Sequence, residues 1–132
     1  MSSDPVKMVR AVLEGLPVGD GTTLATCRVL TVQALDHLPV VHVAAAGGGS
    51  QTDIDRLDRI SAIVYAQAPT TDGAPTAVSI AELAHAALVG GPHDTPAGYI
   101  DEVRAESLPT GQPYTDTVDT AAAVYGVVHR FL

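Results

Sequence analysis

The side chains that could carry chemistry are few in this chain, and the histidines are the first to test. Metal-binding histidines on a helix recur four residues apart, and no two histidines here have that spacing. A metal site would therefore have to be assembled from distant segments. We expect the histidines to be structural or to face solvent, and we expect no metal. The five histidines are His37, His42, His85, His93 and His129.

Three closely spaced aspartates are the next candidates, because carboxylates bind calcium. Asp53, Asp55 and Asp58 lack the glycine at the sixth position and the glutamate at the twelfth position of an EF-hand loop. The charges of this segment are instead typical of a solvated ladder, which protects a strand edge from unwanted pairing. The ladder consists of Asp55, Arg56, Asp58 and Arg59. Alternating charges can also fix the register between neighbouring subunits. Both interpretations of the ladder stay open.

The remaining motifs of enzyme chemistry fail on spacing. Gly47-Gly48-Gly49-Ser50 resembles a phosphate cradle, but the lysine of a P-loop and the helix after a Rossmann loop are missing. We interpret the segment as a flexible hairpin turn. Cys27, the single cysteine, lacks the sequence context of a cysteine nucleophile, and no serine occupies a G-x-S-x-G elbow. The sequence therefore predicts no enzyme activity and no cofactor.

Charge and composition restrict the partners. Fifteen acidic residues against seven basic ones give a net charge of −8 over 132 residues. Nucleic-acid binding requires phosphate neutralisation by lysine and arginine, so specific binding to DNA or RNA is disfavoured. No apolar run approaches the roughly 20 residues that span a bilayer, and the first residues lack the regions of a signal peptide. We expect a globular protein that stays in the cytosol, with no membrane partner.

Two helices are predicted from apolar periodicity and capping signals. The first covers roughly residues 5–15, because Asp4-Pro5 supplies an N-cap and a first-turn proline. The second covers roughly residues 77–89. It begins either with a capping box of Ser79 and Glu82 or one turn earlier.

Five strands are predicted from alternation and from β-branched content. Two of them form a hairpin around the glycine turn, and the second starts half-solvated and ends in an apolar run, so the hairpin projects beyond its own domain. Alternate residues of the last strand share one face, namely Val118, Thr120, Ala122, Val124 and Val128. The predicted strands cover residues 22–32, 39–46, 54–67, 99–108 and 117–131.

The order of these elements predicts the fold. Helix, three strands, helix and two strands make one domain over residues 1–132. Short turns favour antiparallel pairing, and two amphipathic helices can cover one face of such a sheet. We expect an α+β two-layer sandwich, with a mostly antiparallel sheet of about four to five strands and two helices on one face. The other face would be free to meet partners.

Several segments of the chain resemble one protein family in their order and spacing. They are Pro39 to Val43 with Gly47-Gly48, Ile54 to Tyr65, the helix around Ala81 to Leu88, Tyr99 to Pro109, the loop Gln112-Pro113-Tyr114, and the last strand through Ala123-Val124-Tyr125. The chain is similar over roughly residues 5–131 to the tail terminator (tail completion) proteins of long-tailed bacteriophages, especially those that infect actinobacteria. The long loop 69–75 and the sparse basic residues depart from the family pattern.

That resemblance implies a structural role. The protein would form a ring, usually of six copies, on the end of the finished tail tube, where it stops tube polymerisation and joins the filled head. Its partners would be itself, the tail tube protein and a head–tail connector or neck protein, at the head-proximal end of the virion tail, after assembly in the host cytoplasm. DNA would pass through the lumen without specific binding, which an acidic channel favours. No cofactor is implied.

A cyclic ring requires two different patches on each subunit. The hairpin at residues 40–66 and the loop at residues 108–117 are the candidates. We expect charge reversal at Arg56 and Arg59 to weaken ring or tube binding while the fold stays intact. The residues predicted to contact the next subunit or the tube are Gly47, Gly48, Asp55, Arg56, Asp58, Arg59, Gln112 and Tyr114.

Other functions stay open. A head–tail connector or neck protein would bind the connector side instead of the tail tube. A tail tube subunit would form open-ended filaments instead of closed rings. A small ligand-binding domain or enzyme would need a deep pocket with converging titratable groups, which the sequence does not predict.

Overall fold

The computed structural model describes residues 4–19, 21–52, 55–69 and 75–130. Strands make up 52% of the structure and helices 21%. The helices are α1 (Pro5–Leu13), α2 (Val32–Leu35) and α3 (Ala77–Leu88), and the strands are β1 (Pro17–Gly19), β2 (Thr22–Thr23), β3 (Ala25–Cys27), β4 (Val40–Gln51), β5 (Asp55–Gln67), β6 (His93–Thr95), β7 (Gly98–Ala105), β8 (Thr110–Pro113) and β9 (Val118–Arg130). The predictions for Asp53, Ile54 and most of the loop 69–75 lie outside the described residues.

Seven strands form one mixed sheet. Their order is β3-β4-β5-β9-β7-β6, and β8 also pairs with β9, while β1 and β2 form a separate small sheet. Strand β3 runs parallel to β4, and the other pairs are antiparallel. The longest pairing in the sheet joins β5 and β9 and continues from Asp55↔Arg130 to Gln67↔Val118.

The expected sandwich with four to five antiparallel strands is wrong, because the structure has a curled seven-stranded mixed sheet and a second, two-stranded sheet. The strand expected over residues 22–32 divides at buried Leu24, whose N–H donates to the carbonyl of Leu16. Only β3 from that segment joins the large sheet. Strands β6 and β8 arise in segments without apolar alternation, because backbone pairing rather than side-chain burial holds them in place.

The core lies between the sheet and the two longer helices. Helices α1 and α3 contact each other and the same face of the sheet. On the sheet side, every second residue of the central strands is buried, as the two-residue period of a strand requires. The central core side chains are Val9, Leu13, Val41, Val43, Ile60, Val64, Ile80, Leu88, Ala121, Ala123, Tyr125 and Val127.

Both helices begin with side-chain caps. Asp4 accepts a hydrogen bond from the N–H of Lys7 at 3.2 Å, which satisfies one of the unpaired donors at the start of α1. Helix α3 takes the earlier of its two alternatives, because Thr76 is the N-cap and exchanges hydrogen bonds with Ser79. The ends of both helices agree with the sequence to within two residues.

The glycine segment lies inside a strand, so its interpretation as the hairpin turn is wrong. Gly47-Gly48-Gly49-Ser50 belongs to β4. The pairing with β5 passes from Ala45↔Ile60 to Gly49↔Asp58, so β4 contains extra residues there and forms a bulge. The first two glycines have φ angles of 80° and 77°, which only glycine adopts without strain.

Gly49 is the most restricted residue of this bulge. Its φ angle is 115°, and a Cβ atom added to it would lie 2.3 Å from the carbonyl oxygen of Leu57 on β5. The chain reverses after β4 instead, where Asp55 N–H donates to Thr52 Oγ1 at 3.0 Å. The glycines therefore let β4 approach β5 closely and bend, rather than connect the two strands.

Candidate subunit interface

The residues predicted to form an interface occupy opposite ends of the sheet. Asp55 pairs with Arg130 at the end of β9, and the other charged residues of the ladder and the bulge glycines lie at that end. Gln112 pairs with Thr120, near the start of β9. We call these the distal end and the proximal end of the sheet. The structure does not bring the two groups together.

Asp58 lies on the core face of the distal end, where it is shared by two side chains. Its Oδ2 accepts a hydrogen bond from His129 Nε2 at 2.7 Å and lies 3.0 Å from Arg56 Nε. The His129 side chain is 1% exposed. Arg56, Asp58 and buried Ile60 lie two residues apart along β5, so their side chains are on the same face of the sheet. Asp58 therefore holds a buried imidazole in place within its own chain.

Arg59 lies on the opposite face and connects three segments. Its Nε donates to Glu106 Oε1 at 2.9 Å, and its Nη1 donates to the carbonyl of Gly47 at 3.3 Å. The glycine bulge is thereby tied to the segment after β7. Since exposed pairs of this kind contribute only about 0–1 kcal/mol, an approaching partner can exchange them at low cost.

Tyr114 covers a buried tyrosine at the proximal end. Its ring lies edge-on against Tyr65, with the ring centroids 5.1 Å apart. Burial raises the pKa of Tyr65, and the nearby Tyr114 and Cys27 raise it further. The side chain of Thr120 donates to the carbonyl of Gln112 at 3.0 Å, which fixes β8 beside β9. Tyr114 remains half exposed and can contact a partner.

A larger feature is the face of the sheet opposite the helices, which the described helices leave uncovered. Strand register places large and small side chains side by side on it, as in Ile63↔Ala122 and Ser61↔Val124. These positions are exposed or half-buried. We call this surface the outer sheet face; it consists of Leu57, Arg59, Ser61 and Ile63 of β5, Thr120, Ala122, Val124 and Val128 of β9, and Glu102 and Arg104 of β7.

The charges at the rim of the outer sheet face balance one another. Glu102 pairs with Arg104 at 2.9 Å, and Arg59 pairs with Glu106. Two positive and two negative side chains thus border an apolar centre, in a chain whose net charge is −8. A second acidic molecule is repelled less at this surface than elsewhere.

Helix α3 is apolar on both sides. Nine of its twelve residues are apolar, and Glu82 is its single charged residue. One side is buried in the core, and the other exposes Val78 at 40% and Leu83 at 45%. We call the exposed side, with Val78, Glu82, Leu83 and Ala86, the α3 exterior. The exposed side of α3 therefore mixes apolar side chains with the polar Ser79 and the charged Glu82.

Burial favours the neutral form of Tyr125 and of Cys27. Burial, with a smaller effect of Glu82, raises the pKa of Tyr125 to about 12, and the Tyr125 hydroxyl lies 2.9 Å from His85 Nδ1. Burial also raises the pKa of the Cys27 thiol, against a smaller opposite effect of Arg10. A nucleophile or base needs the opposite shift. Neither group is prepared for catalysis.

The histidines take part in local hydrogen bonds. His42 Nε2 donates to the carbonyl of Arg28 at 3.0 Å, and His93 Nε2 donates to the carbonyl of Leu88 at 2.8 Å. Over the described ranges, no three His, Cys, Asp or Glu residues are grouped so that they could hold a metal ion. The arrangement that the described residues do offer is a pair of apolar surfaces.

Comparison of the chain with protein-family models and with curated proteins finds no match. In the part of the chain that the structure describes, no helix is long and apolar enough to cross a membrane. The functional argument therefore rests on the geometry of the surfaces.

Sequence reasoning found part of this geometry and missed the rest. The alternation that grouped Ala122, Val124 and Val128 on one face is present in β9. Glu106, the partner of Arg59, lies 47 residues further along the chain. No local pattern connects the two residues, and no local pattern shows which face of the sheet the helices leave uncovered.

Proposed function

We propose that the protein is a tail terminator of a long-tailed bacteriophage, which caps the tail tube as a ring of about six copies and forms the surface that joins the head. The observation that carries this proposal is the outer sheet face. Four apolar side chains lie half-buried there with no described helix over them, namely Leu57, Ile63, Val124 and Val128. Apolar side chains that a fold leaves partly uncovered often mark a contact with another protein.

The charge of the chain supports a position around DNA. With a net charge of −8, the ring lumen would repel the phosphate backbone and let DNA pass without binding it. The proposed partners are other copies of the chain, the tail tube protein and a head–tail connector protein. The proposed location is the head-proximal end of the virion tail.

Negative-stain electron microscopy tests the proposal. The purified protein is imaged alone at high concentration and after mixing with tail tubes assembled from the tube protein of the same virus; tubes without added protein are the control. We expect closed rings, or caps at one end of each tube, and shorter tubes when the protein is present during polymerisation. Failure to associate with tubes under any of these conditions would contradict the proposal.

Imaging and a pull-down experiment distinguish a tail terminator from a tail tube subunit and from a neck protein. Open-ended filaments of the protein alone would indicate a tail tube subunit. Retention on immobilised connector protein, without retention on tube protein, would indicate a neck protein. A terminator is expected to bind the tube end in both the imaging and the pull-down experiment.

A further inference from the structure

Two positive side chains of α1 lack the ion pair that every other lysine and arginine of the chain has. Lys7 and Arg10 form no ion pair with a described carboxylate. They lie three residues apart, so their side chains are neighbours on the surface of the helix. In a chain with a net charge of −8, two such cations side by side attract a carboxylate. The basic residues with an ion pair are Arg28, Arg56, Arg59, Arg104 and Arg130.

Both side chains line a groove of about 290 Å³ between α1 and the turn that connects β6 and β7. Arg10 Nε donates to Thr26 Oγ1 at 3.2 Å, which positions the guanidinium and leaves its two terminal nitrogens available as donors. Among the described lining residues Glu14 is the one carboxylate, and it accepts from the Thr26 N–H at 3.0 Å. One carboxylate against two cations leaves the groove with one positive charge. A groove of this size suits a side chain better than a small-molecule ligand, whose pockets are about 300–1,000 Å³.

The turn between β8 and β9 presents a carboxylate that fits this charge. The N–H groups of Tyr114 and Thr115 both donate to the carbonyl of Val118 at 3.0 Å, and the Val118 N–H donates to Thr115 Oγ1 at 3.1 Å. Asp116 lies at the apex of this turn and is exposed, and it forms no ion pair within the described part of the chain. Because hydrogen bonds fix the turn in advance, little conformational entropy is lost when Asp116 enters a groove.

The groove and the turn lie on different sides of the sheet. Helix α1 packs on the core face. Tyr114 packs on Tyr65, which follows Ile63 by two residues on β5 and so points to the side of the outer sheet face. The turn therefore leaves the proximal end on the side away from α1. A copy cannot fill its own groove with its own Asp116, so this contact requires a second copy.

We infer that the α1 groove of one copy binds Asp116, in the β8–β9 turn, of the next copy. The carboxylate lies between the ammonium group of Lys7 and the guanidinium group of Arg10 and balances the positive charge of the groove. The two patches are different, so the contact is heterologous and can be repeated around a ring. The inference deepens the proposed ring and rests on it. Since exposed ion pairs are individually weak, this contact sets the orientation and register of neighbouring copies more than their affinity.

Charge reversal on each side of the contact tests this inference. Lys7→Glu changes an exposed side chain, and a glutamate is favourable in the first turn of a helix. Asp116→Lys changes the exposed apex of the turn. In sedimentation velocity at low ionic strength, each variant should associate about tenfold more weakly than the wild type, because like charges then face each other. The double variant Lys7→Glu/Asp116→Lys restores opposite charges and should associate to within about threefold of the wild type.

The matched control is Asp36→Lys, which changes the net charge as Asp116→Lys does. Asp36 is also exposed and forms no ion pair in the described ranges, and its variant should associate like the wild type. Arg10→Gln keeps a donor for Thr26 and removes the charge, so it should weaken association without lowering the melting temperature. Equal association of the Asp116 and Asp36 variants, or no recovery in the double variant, would overturn the inference.

Three further outcomes separate this inference from the proposed function. A wild-type protein that is monomeric at every concentration, with and without tubes, overturns the inference. Rings that depend on the Lys7–Asp116 pair but never bind tail tubes support the inference and contradict the tail-terminator role. Caps that form equally well on tubes with the wild type and with both charge-reversed variants keep the tail-terminator role and overturn the inference. The oligomer assay and the tube-capping assay thus give independent answers.

Discussion

Replacement of Gly49 by alanine should disrupt the hairpin much more than the same replacement at Gly47. Both residues lie in the β4 bulge and both have positive φ angles, 80° at Gly47 and 115° at Gly49. Nothing lies within 4 Å of a Cβ atom added at Gly47, whereas at Gly49 that atom would lie 2.3 Å from the carbonyl oxygen of Leu57. Gly47→Ala is therefore a control for a positive φ angle without steric overlap.

The expected magnitudes follow from these geometries. An alanine in the left-handed region costs about 1–2 kcal/mol, and part of this is offset because alanine restricts the unfolded chain. We expect Gly47→Ala to lower the free energy of unfolding by about 1 kcal/mol. At Gly49 the φ angle of 115° is less favourable still for alanine, so the backbone cost is at least as large. The overlap with β5 adds to it, and overpacking costs about 1–3 kcal/mol. We expect Gly49→Ala to cost about 3 kcal/mol or more.

Thermal unfolding followed by circular dichroism checks this difference. At about 4 °C per kcal/mol for a domain of this size, Gly47→Ala should lower the melting temperature by about 4 °C and Gly49→Ala by about 12 °C. If the strands separate locally instead, amide exchange should accelerate at Leu57 and Asp58 in Gly49→Ala alone. Equal melting temperatures with equal exchange in the two variants would refute the close approach of β4 and β5.

Three other predictions concern single side chains. Burial raises the pKa of Asp4, but the hydrogen bonds from Arg28 and from the Lys7 N–H outweigh burial, so the pKa lies below 3.8 overall. The ionised Asp4 carboxylate therefore stabilises the fold above pH 3.8, and this stabilisation is lost as pH falls further. Asp4→Asn should reduce this acid-side loss in urea unfolding, and Asp4→Ala should cost about 1 kcal/mol more through the N-cap. Burial raises the pKa of Tyr125 from 10.0 to about 12, so the neutral hydroxyl contributes fully to stability below pH 10, and this contribution is lost as pH rises towards 12. Tyr125→Phe should therefore reduce the fall in the free energy of unfolding between pH 10 and pH 12. An unchanged pH profile would contradict this assignment. Arg59→Glu should lower the melting temperature by a few degrees, and adding Glu106→Arg should restore most of it; no recovery in the double variant would argue against the pair.

The sequence predicted those elements whose formation depends on local signals. Helices α1 and α3 were located to within two residues, because caps and apolar periodicity lie within the elements themselves. The long pair of strands around the glycines was found for a similar reason. The glycines were misread as the turn, because a bulge and a turn both need positive φ angles and only pairing with β5 distinguishes them.

The candidate interface stays a prediction, and the structure adds contacts within the chain that the sequence does not show. The charges near the start of β5 suggested an intermolecular ladder, but Asp58 is bound to His129 and Arg59 to Glu106, residues that are distant in the chain. Arg56 and Arg59 are thus paired within their own chain, so reversing their charges would disturb the distal end as well as any contact that they make. Sequence spacing cannot reveal such pairs, since strand order in the sheet creates them.

The sequence by itself determined the two longer helices, the alternating faces of β5 and β9 and the acidic charge of the protein, since each depends on residues close together in the chain or on composition alone. Tertiary structure decided the number of strands, the parallel pairing of β3, and which side of the sheet the helices cover. These depend on backbone hydrogen bonds and packing between distant segments. The outer sheet face exists because the helices pack on one side of a sheet whose other side carries both apolar and polar residues.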